Sequence, residues 1–590
     1  MTAINWLTPA TDAHPPPRTE SYWDRARRFL GATPESPTNL AALTVDQHVA
    51  DGRGDDVAIT FVGKGAIDAG EGETSVTYGE LAERSARFAG VLQDLGVRPG
   101  DRVFLLTGPS PETFVAALGT WKAGCVVSPL FAAFGPEPIR QRLEIGEARV
   151  LVTTAAMYRR KIQAQRERLA GLEHVLVVDD GPVPDGTRSL PQSMAETTAV
   201  RRPADTGPED LAILHFTSGT TGTPKAAVHV HDALVAHVAT AMDVFGLAPD
   251  DVYWCTADPG WVTGTSYGIL APLAVGARMI VDQGGFDATR WYHLLERHRV
   301  TVWYTAPTAI RMLMRAGVDL ARAHDLSALR VVASVGEPLS AEAVRWGESA
   351  FGQPIRDTWW QTETGAIMIA NSHDEEVRPG SMGRALGGVT IGLLQCTDDG
   401  ELVRHNGAVA EVDDPSQLGM IAIRPGWPSM FRGYLHAEER YEAAFADGWY
   451  LSGDLARRDA EGSFWFVGRA DDVIKTAGHL IGPFEVEQVL TAHPDVVAAG
   501  VYGVPDEVAG ELICAEVVLR DGAPHDEAAV TDVMAHARRA LGGSLAPRTI
   551  TVVDDLPYTR SGKVMRRLLR ARALGLPEGD TSTLETGAAS

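Results

Sequence analysis

Thr217-Ser218-Gly219-Thr220-Thr221-Gly222-Thr223-Pro224-Lys225 is the stretch whose reading decides the fold. It follows the apolar run Leu211-Ala212-Ile213-Leu214, which reads as a buried strand, so the loop leaves the end of a sheet. Its small residues let the backbone approach a polyphosphate closely, while several hydroxyls and one ammonium can meet the phosphate oxygens. The pattern is not that of a Walker A loop, whose second glycine directly precedes a Lys-Ser/Thr pair. Here Pro224 stands before Lys225 and Ala226 after it. A Ser/Thr/Gly linker is the plainer alternative; a phosphate loop of a different kind is the better reading.

The 590 residues exceed what one compact core holds. An apolar content of 45% and a charged content of 22% are ordinary for a globular enzyme. The formal net charge of -24 argues against a nucleic-acid binder, yet a locally basic site can sit in an acidic protein. Four cysteines (Cys125, Cys255, Cys396 and Cys514) lie far apart without metal-like spacing, and read as small buried hydrophobes in a reducing compartment. The N-terminus lacks the pattern of a secretory signal, and no apolar run is long enough to span a bilayer. The expectation is a cytoplasmic protein that binds neither nucleic acid nor membrane.

Helix and strand signals alternate as in an α/β fold. Thr77 and Glu80 form a capping box opening a helix with Leu81, Phe88, Leu92 and Leu95 on its apolar side and Gly96 as C-cap. From about Asp471 a second region begins, with a helix over 484–490, strands over 498–502 and 514–519, and a helix over 528–541 whose stripe is Val530, Val533, Met534, Ala537 and Leu541. A last, basic helix is expected over 564–572. The expected organisation is a loose extension over 1–20, a large multi-sheet domain over 21–470, a small mobile α+β C-terminal domain over 471–575, and a tail over 576–590.

Five further segments follow the loop in order: Val335-Gly336-Glu337-Pro338, Asp357-Thr358-Trp359-Trp360-Gln361-Thr362-Glu363-Thr364-Gly365, Tyr450-Leu451-Ser452-Gly453-Asp454, Gly468-Arg469-Ala470-Asp471-Asp472 and Ser561-Gly562-Lys563. Each is weak alone. Together, over about residues 22–573, the series resembles the adenylate-forming superfamily of acyl-CoA synthetases, carrier-loading adenylation domains and luciferases. Three more segments are most similar to acetyl-CoA synthetases: residues 257–264 (Ala-Asp-Pro-Gly-Trp-Val-Thr-Gly), residues 303–311 (Trp-Tyr-Thr-Ala-Pro-Thr-Ala-Ile-Arg), and the pair Trp359-Trp360.

That resemblance implies two half-reactions: a carboxylate attacks ATP to give an acyl-adenylate and pyrophosphate, then coenzyme A displaces AMP. It places Mg²⁺ on Glu363, a hard carboxylate suited to that ion, and Thr220 beside the departing pyrophosphate. The nucleotide would be met by Thr217, Ser218, Gly219, Thr221, Gly222, Thr223 and Lys225 of the loop. Gly336, Glu337 and Pro338 form the wall against adenine, with Asp357, Thr358, Trp359, Gln361 and Thr362 beside it. Asp454 accepts from the ribose diol, as an ionised carboxylate can, with Arg469 near ribose or phosphates. Lys563 is implied to reach the α-phosphate and the carboxylate. Asp471 is implied as hinge, and Gly478 and Arg538 as coenzyme A contacts. Trp360 closes a short acyl pocket walled by Val335, Val262 and Thr263, so acetate is expected first and propionate second. The resemblance further implies regulation by acylation of Lys563. One departure stands out: Leu480 follows Gly478-His479 where many relatives carry an arginine near the phosphate. It keeps open a medium-chain acyl-CoA synthetase or carrier-loading ligase, and a non-catalytic nucleotide-binding or acyl-binding relative is the third reading.

Overall fold

The structure, a computed structural model, describes residues 21–33, 36, 38–65, 72–200, 202–217, 224–397, 401–414, 417–470, 472–476, 479–506, 509–520, 522–542, 545–559, 563–578, 581 and 584. The expected positions Ser218, Gly219, Thr220, Thr221, Gly222, Thr223, Asp471 and Gly478, and the extension over 1–20, lie outside the described residues.

A nine-stranded sheet forms the centre, in the order Arg384–Ala385, Ile369–Ala370, Arg356–Trp359, Val331–Ser334, Val302–Thr305, Val252–Cys255, Arg278–Asp282, Val57–Val62 and Glu73–Thr77. Its inner strands pair in parallel. Val331–Ser334 and Val302–Thr305 are buried along their whole length, the pattern of parallel strands covered on both faces. Stacked Trp254 and Trp303 fill one of those faces, 6.0 Å apart.

A seven-stranded sheet contains the two strands that flank residues 218–223. Leu211–Thr217 pairs antiparallel with Lys225–Val230, with Thr217 opposite Lys225, so both ends of the loop are held in hairpin register. A third sheet contains Trp449–Arg458 and Phe464–Arg469, which pair with Asp454 opposite Arg469.

The expected capping box is present: Glu80 N–H donates to Thr77 Oγ1 and Thr77 N–H to Glu80 Oε2, opening the helix Tyr78–Asp94. Its C-cap is Leu95 rather than Gly96, which comes one residue later. Beyond residue 473 the chain builds its own five-stranded sheet around the long hairpin of Val496–Asp506 and Gly510–Leu519. The helices Pro483–Thr491 and Glu527–Leu541 pack on it, with Val533 and Ala537 buried and Val530, Met534 and Leu541 against that core. The basic helix starts at Arg566, not at 564. Val564 instead makes a β-bridge with Tyr558, and Thr559 N–H donates to Lys563 O (2.6 Å), so the backbone there is committed to antiparallel pairing before the helix can begin. This region touches the large sheets through Arg457–Glu485 (3.0 Å) and Phe466–Phe484 (6.2 Å between rings).

The cysteines correct one expectation: all four are free, Cys125 and Cys514 are buried, but Cys255 and Cys396 are only half-buried. Among the described residues no helix is long and apolar enough to cross a membrane.

Four histidines sit in the interior behind the phosphate hairpin. His229 and His231 are held down by burial to about 4 and about 3, His237 likewise to about 3, and His215 lies well below the ordinary imidazole value. His229 Nδ1 donates to Ser429 O (3.1 Å) and His237 Nε2 to Gly365 O (2.9 Å), contacts that a neutral ring with one N–H satisfies. An unfolded chain binds these protons near pH 6.5, the folded one only far below, so their contribution to stability is intact above about 6.5 and is lost as pH falls toward 4. Buried Asp258 and Asp357, raised to about 6 and about 8, act in the opposite sense. The imidazoles outnumber them. Urea unfolding followed by tryptophan emission should therefore show stability falling between pH 7 and 5.5 by about 1.4 kcal/mol per pH unit on average, the value for about one net proton, and more steeply at the acid end.

Candidate active site

The site lies beyond the carboxyl ends of the central parallel strands, where open α/β sheets bind ligands. Ser334 and Asp357 are register partners, so the segments that follow, Val335–Pro338 and Trp360–Gly365, leave neighbouring strands side by side. Gly336 takes φ +95, a left-handed turn that lets the chain bend away from its strand.

Asp454 is buried in the cleft, only 5% exposed. Its Oδ2 accepts from Trp359 Nε1 (2.9 Å) and Gln361 Nε2 (2.8 Å), and its Oδ1 from Arg469 (3.2 Å). Gly453 at φ +71 turns the strand so that Asp454 faces the guanidinium. Gln361 is fixed at its other end by Tyr450, whose hydroxyl donates to Oε1 (2.7 Å). The structure thus brings together Trp359, Gln361, Asp454 and Arg469, four residues the sequence singled out. Asp357 does not reach this group. It is buried beneath it, pushed up to about 8 by burial against the opposing backbone N–H groups of Leu339 and Thr358.

Glu363 and Lys225 meet through a residue that sequence reasoning missed. Tyr434 lies on a segment bridged to Ala227 in the phosphate hairpin. Its hydroxyl donates to Glu363 Oε1 (2.7 Å), and Lys225 Nζ stands 5.0 Å from its ring centroid. Burial first, then the neighbouring Glu363 charge, raise the Tyr434 phenol, so it keeps its proton to donate. No local pattern marks Tyr434, because its partners are 71 residues or more away in sequence. Glu363 Oε2 accepts no hydrogen bond from the described residues, and no group of three or more His, Cys, Asp or Glu side chains gathers among them. One carboxylate completed by phosphate oxygens and water is the donor set Mg²⁺ accepts, so the residues fit that ion.

Glu337 is clamped from below. Thr308 Oγ1 donates to its Oε1 (2.7 Å) and Arg311 to its Oε2 (2.6 Å). Both donors fall within or beside the 303–311 segment, quoted above without a role for them. Across the cleft stands Lys563. Its side chain is exposed to water, with enough protein nearby to weaken its hydration. Desolvation pushes its ammonium below the ordinary lysine value, while the charges of Glu337 and then Asp454 hold it up. Arg566, three residues on, is anchored by Glu487 (2.8 Å).

Trp360 is half-buried, with Nε1 donating to Tyr304 and its ring edge-on to Tyr267 (5.2 Å, 73°). Thr263 lies one turn before Tyr267 on the same helical stretch, and Val335 leaves the strand beside that of Trp360, so two of the expected pocket residues stand on the elements that border Trp360. Val262 opens that helix. Arg538 is exposed on the far helix of the C-terminal sheet, with nothing from the cleft on it among the described contacts. Thr362 is half-buried in the turn before Glu363, Thr217 ends its strand, and Pro338 follows Glu337 toward Leu339.

The model of the AMP-binding enzyme family matches residues 46–435, and that of the AMP-binding enzyme C-terminal domain matches residues 485–563. The chain is 42% identical over 567 residues to the acetyl-coenzyme A synthetase of Bacillus subtilis (strain 168), covering 95% of each. To the acetyl-coenzyme A synthetase of Pyrobaculum aerophilum it is 37% identical over 93% of this chain and 85% of that one. Among solved structures, Brucella canis acyl-CoA synthetase superposes with a TM-score of 0.70 at 34% identity, over 93% of this chain and 97% of that one. The anthranilate CoA ligase AuaEII, in complex with anthranoyl-AMP, superposes with a TM-score of 0.81 at 27% identity, over 93% and 100%. Matched over more than half its length by the family model, and again over its C-terminal part, this chain belongs to the AMP-binding enzymes.

Proposed function

We propose that the chain is an ATP-dependent acetate–coenzyme A ligase that releases AMP and pyrophosphate. The observation that carries the reading is the cluster of Trp359, Gln361, Asp454 and Arg469 in the cleft, with the Lys563 ammonium near enough for the charges of Glu337 and Asp454 to support it at a distance. A binding protein has no need of an ammonium held there. The acetyl-coenzyme A synthetases at 37% and 42% identity support acetate as the acid.

Oδ2 of Asp454 is filled by two protein donors, so the ribose diol meets Oδ1 and the Arg469 guanidinium beside it. An acetate oxygen attacks the α-phosphorus, a P–O bond forms, and the bond to the bridging oxygen of pyrophosphate breaks. Lys563 stabilises the charge that develops in this displacement. Glu363 would hold Mg²⁺, which when bound offsets charge on the departing pyrophosphate. In the second half-reaction the coenzyme A thiol attacks the acyl carbon, AMP leaves, and the thiol proton passes to solvent. We place the hinge between the two states at Asp471, with Gly478 and Arg538 on the coenzyme A side, and acylation of Lys563 as a means of switching off adenylation by removing its charge.

Pyrophosphate and AMP release with a panel of acids, with and without coenzyme A, tests the proposal: turnover should peak at acetate or propionate and require coenzyme A. Adenylation without coenzyme A turnover would instead indicate a carrier-loading ligase. Lys563→Ala should lower acetate-dependent pyrophosphate release by about 10²–10³, while conversion of supplied acetyl-adenylate to acetyl-CoA falls far less. The alkaline limb of kcat/KM for ATP in adenylation should lie below 10.5, the ordinary lysine value, because Lys563 is shifted down. Glu337→Gln removes the largest charge supporting the ammonium and should move that limb to lower pH.

A further inference from the structure

Trp360 is held by more than packing. Its Nε1–H donates to the Tyr304 hydroxyl (3.1 Å), which lies 2.8 Å from Thr358 Oγ1. Thr358 Oγ1 in turn donates to Ser334 O (2.7 Å). With the threonine hydrogen committed to that carbonyl, Tyr304 is the donor to Thr358, and the relay has one direction from indole to backbone. Burial raises the Tyr304 phenol well above its ordinary value, so it keeps the hydrogen the relay needs. Tyr304 and Ser334 are 0% exposed and Thr358 4%, so no water replaces a lost link at low cost. The last acceptor sits immediately before Val335, so the relay ties the pocket floor to its wall.

Tyr267 braces the Trp360–Tyr304 pair from the side. Tyr267 packs edge-on to both Trp360 and Tyr304 and is itself fixed by Ile367 N–H, which donates to its hydroxyl (2.9 Å). The Trp360 ring therefore rests edge-on against a fixed aromatic wall, and its hydrogen bond among the described contacts is the one to Tyr304. We propose that Tyr304, through Thr358, is the positioning residue that locks Trp360 as the floor of the acyl pocket and so sets the length of acid accepted. This rests on the reading of Trp360 as that floor. Tyr304 itself is kept off the substrate by the indole.

The test is kcat/KM for acetate and for butyrate, each on a single preparation so that their ratio cancels the folded fraction. Tyr304→Phe keeps the ring and removes only the hydroxyl; Thr358→Val breaks the same relay one link on. Both should raise the butyrate-to-acetate ratio by about tenfold or more, the usual worth of a methylene or two in a pocket. In a Trp360→Phe background, which has no indole N–H to lock, adding Tyr304→Phe should change the ratio by less than about twofold. If Trp360→Gly raises the ratio while Tyr304→Phe and Thr358→Val both leave it at the wild-type value, the lock is wrong and the pocket stands. If Trp360→Gly also leaves it flat, the pocket reading falls and the lock with it.

Discussion

The hydrogen bonds converging on Asp454 are the constraint on which the rest of the site depends. Asp454 belongs to one sheet, whereas Trp359 ends a strand of another and Gln361 follows it, so a single carboxylate joins two layers at the cleft. Hydrogen bonds to a charged group are worth about 1.5–3 kcal/mol each, and removing the acceptor would leave buried donors unpaired. The same carboxylate draws in Arg469 and supports the Lys563 ammonium. Order in the large domain and charge from the C-terminal one therefore meet at one atom pair.

Although the chain carries a net charge of -24, it gathers cations around the cleft, most of them resting on a partner. Lys225 rests over Tyr434, Arg311 on Glu337, Arg469 on Asp454 and Arg566 on Glu487. These pairs hold the cations in place, while Arg469 and Arg311 remain partly exposed to water and so cost little desolvation. Lys563 differs from the rest, since no carboxylate is bonded to it among the described contacts and its charge is supported at a distance. That leaves it available to a reacting group.

Much of this was legible in the sequence because it is local or ordered along the chain. The capping box at Thr77, the apolar run before the phosphate loop and the stripe on Glu527–Leu541 each follow from short-range periodicity. Asp454, Arg469, Trp359 and Gln361 were named from their motifs. What could not be read was their mutual geometry, and the residues that hold them. Tyr434, Tyr304, Thr308 and Arg311 act through contacts with segments remote in sequence, where no spacing rule applies. The start of the basic helix was placed two residues early because the pattern of arginines runs smoothly through Val564, while the backbone there is committed to a bridge with Tyr558.

The most direct measurement is a single turnover with labelled acetate and ATP, enzyme in excess and coenzyme A absent, followed by a coenzyme A chase. The account predicts acetate-dependent release of one equivalent of pyrophosphate, with the label held on the enzyme as acetyl-adenylate and passed to coenzyme A on the chase. Pyrophosphate release independent of acetate, or label that never enters an adenylate, would contradict it.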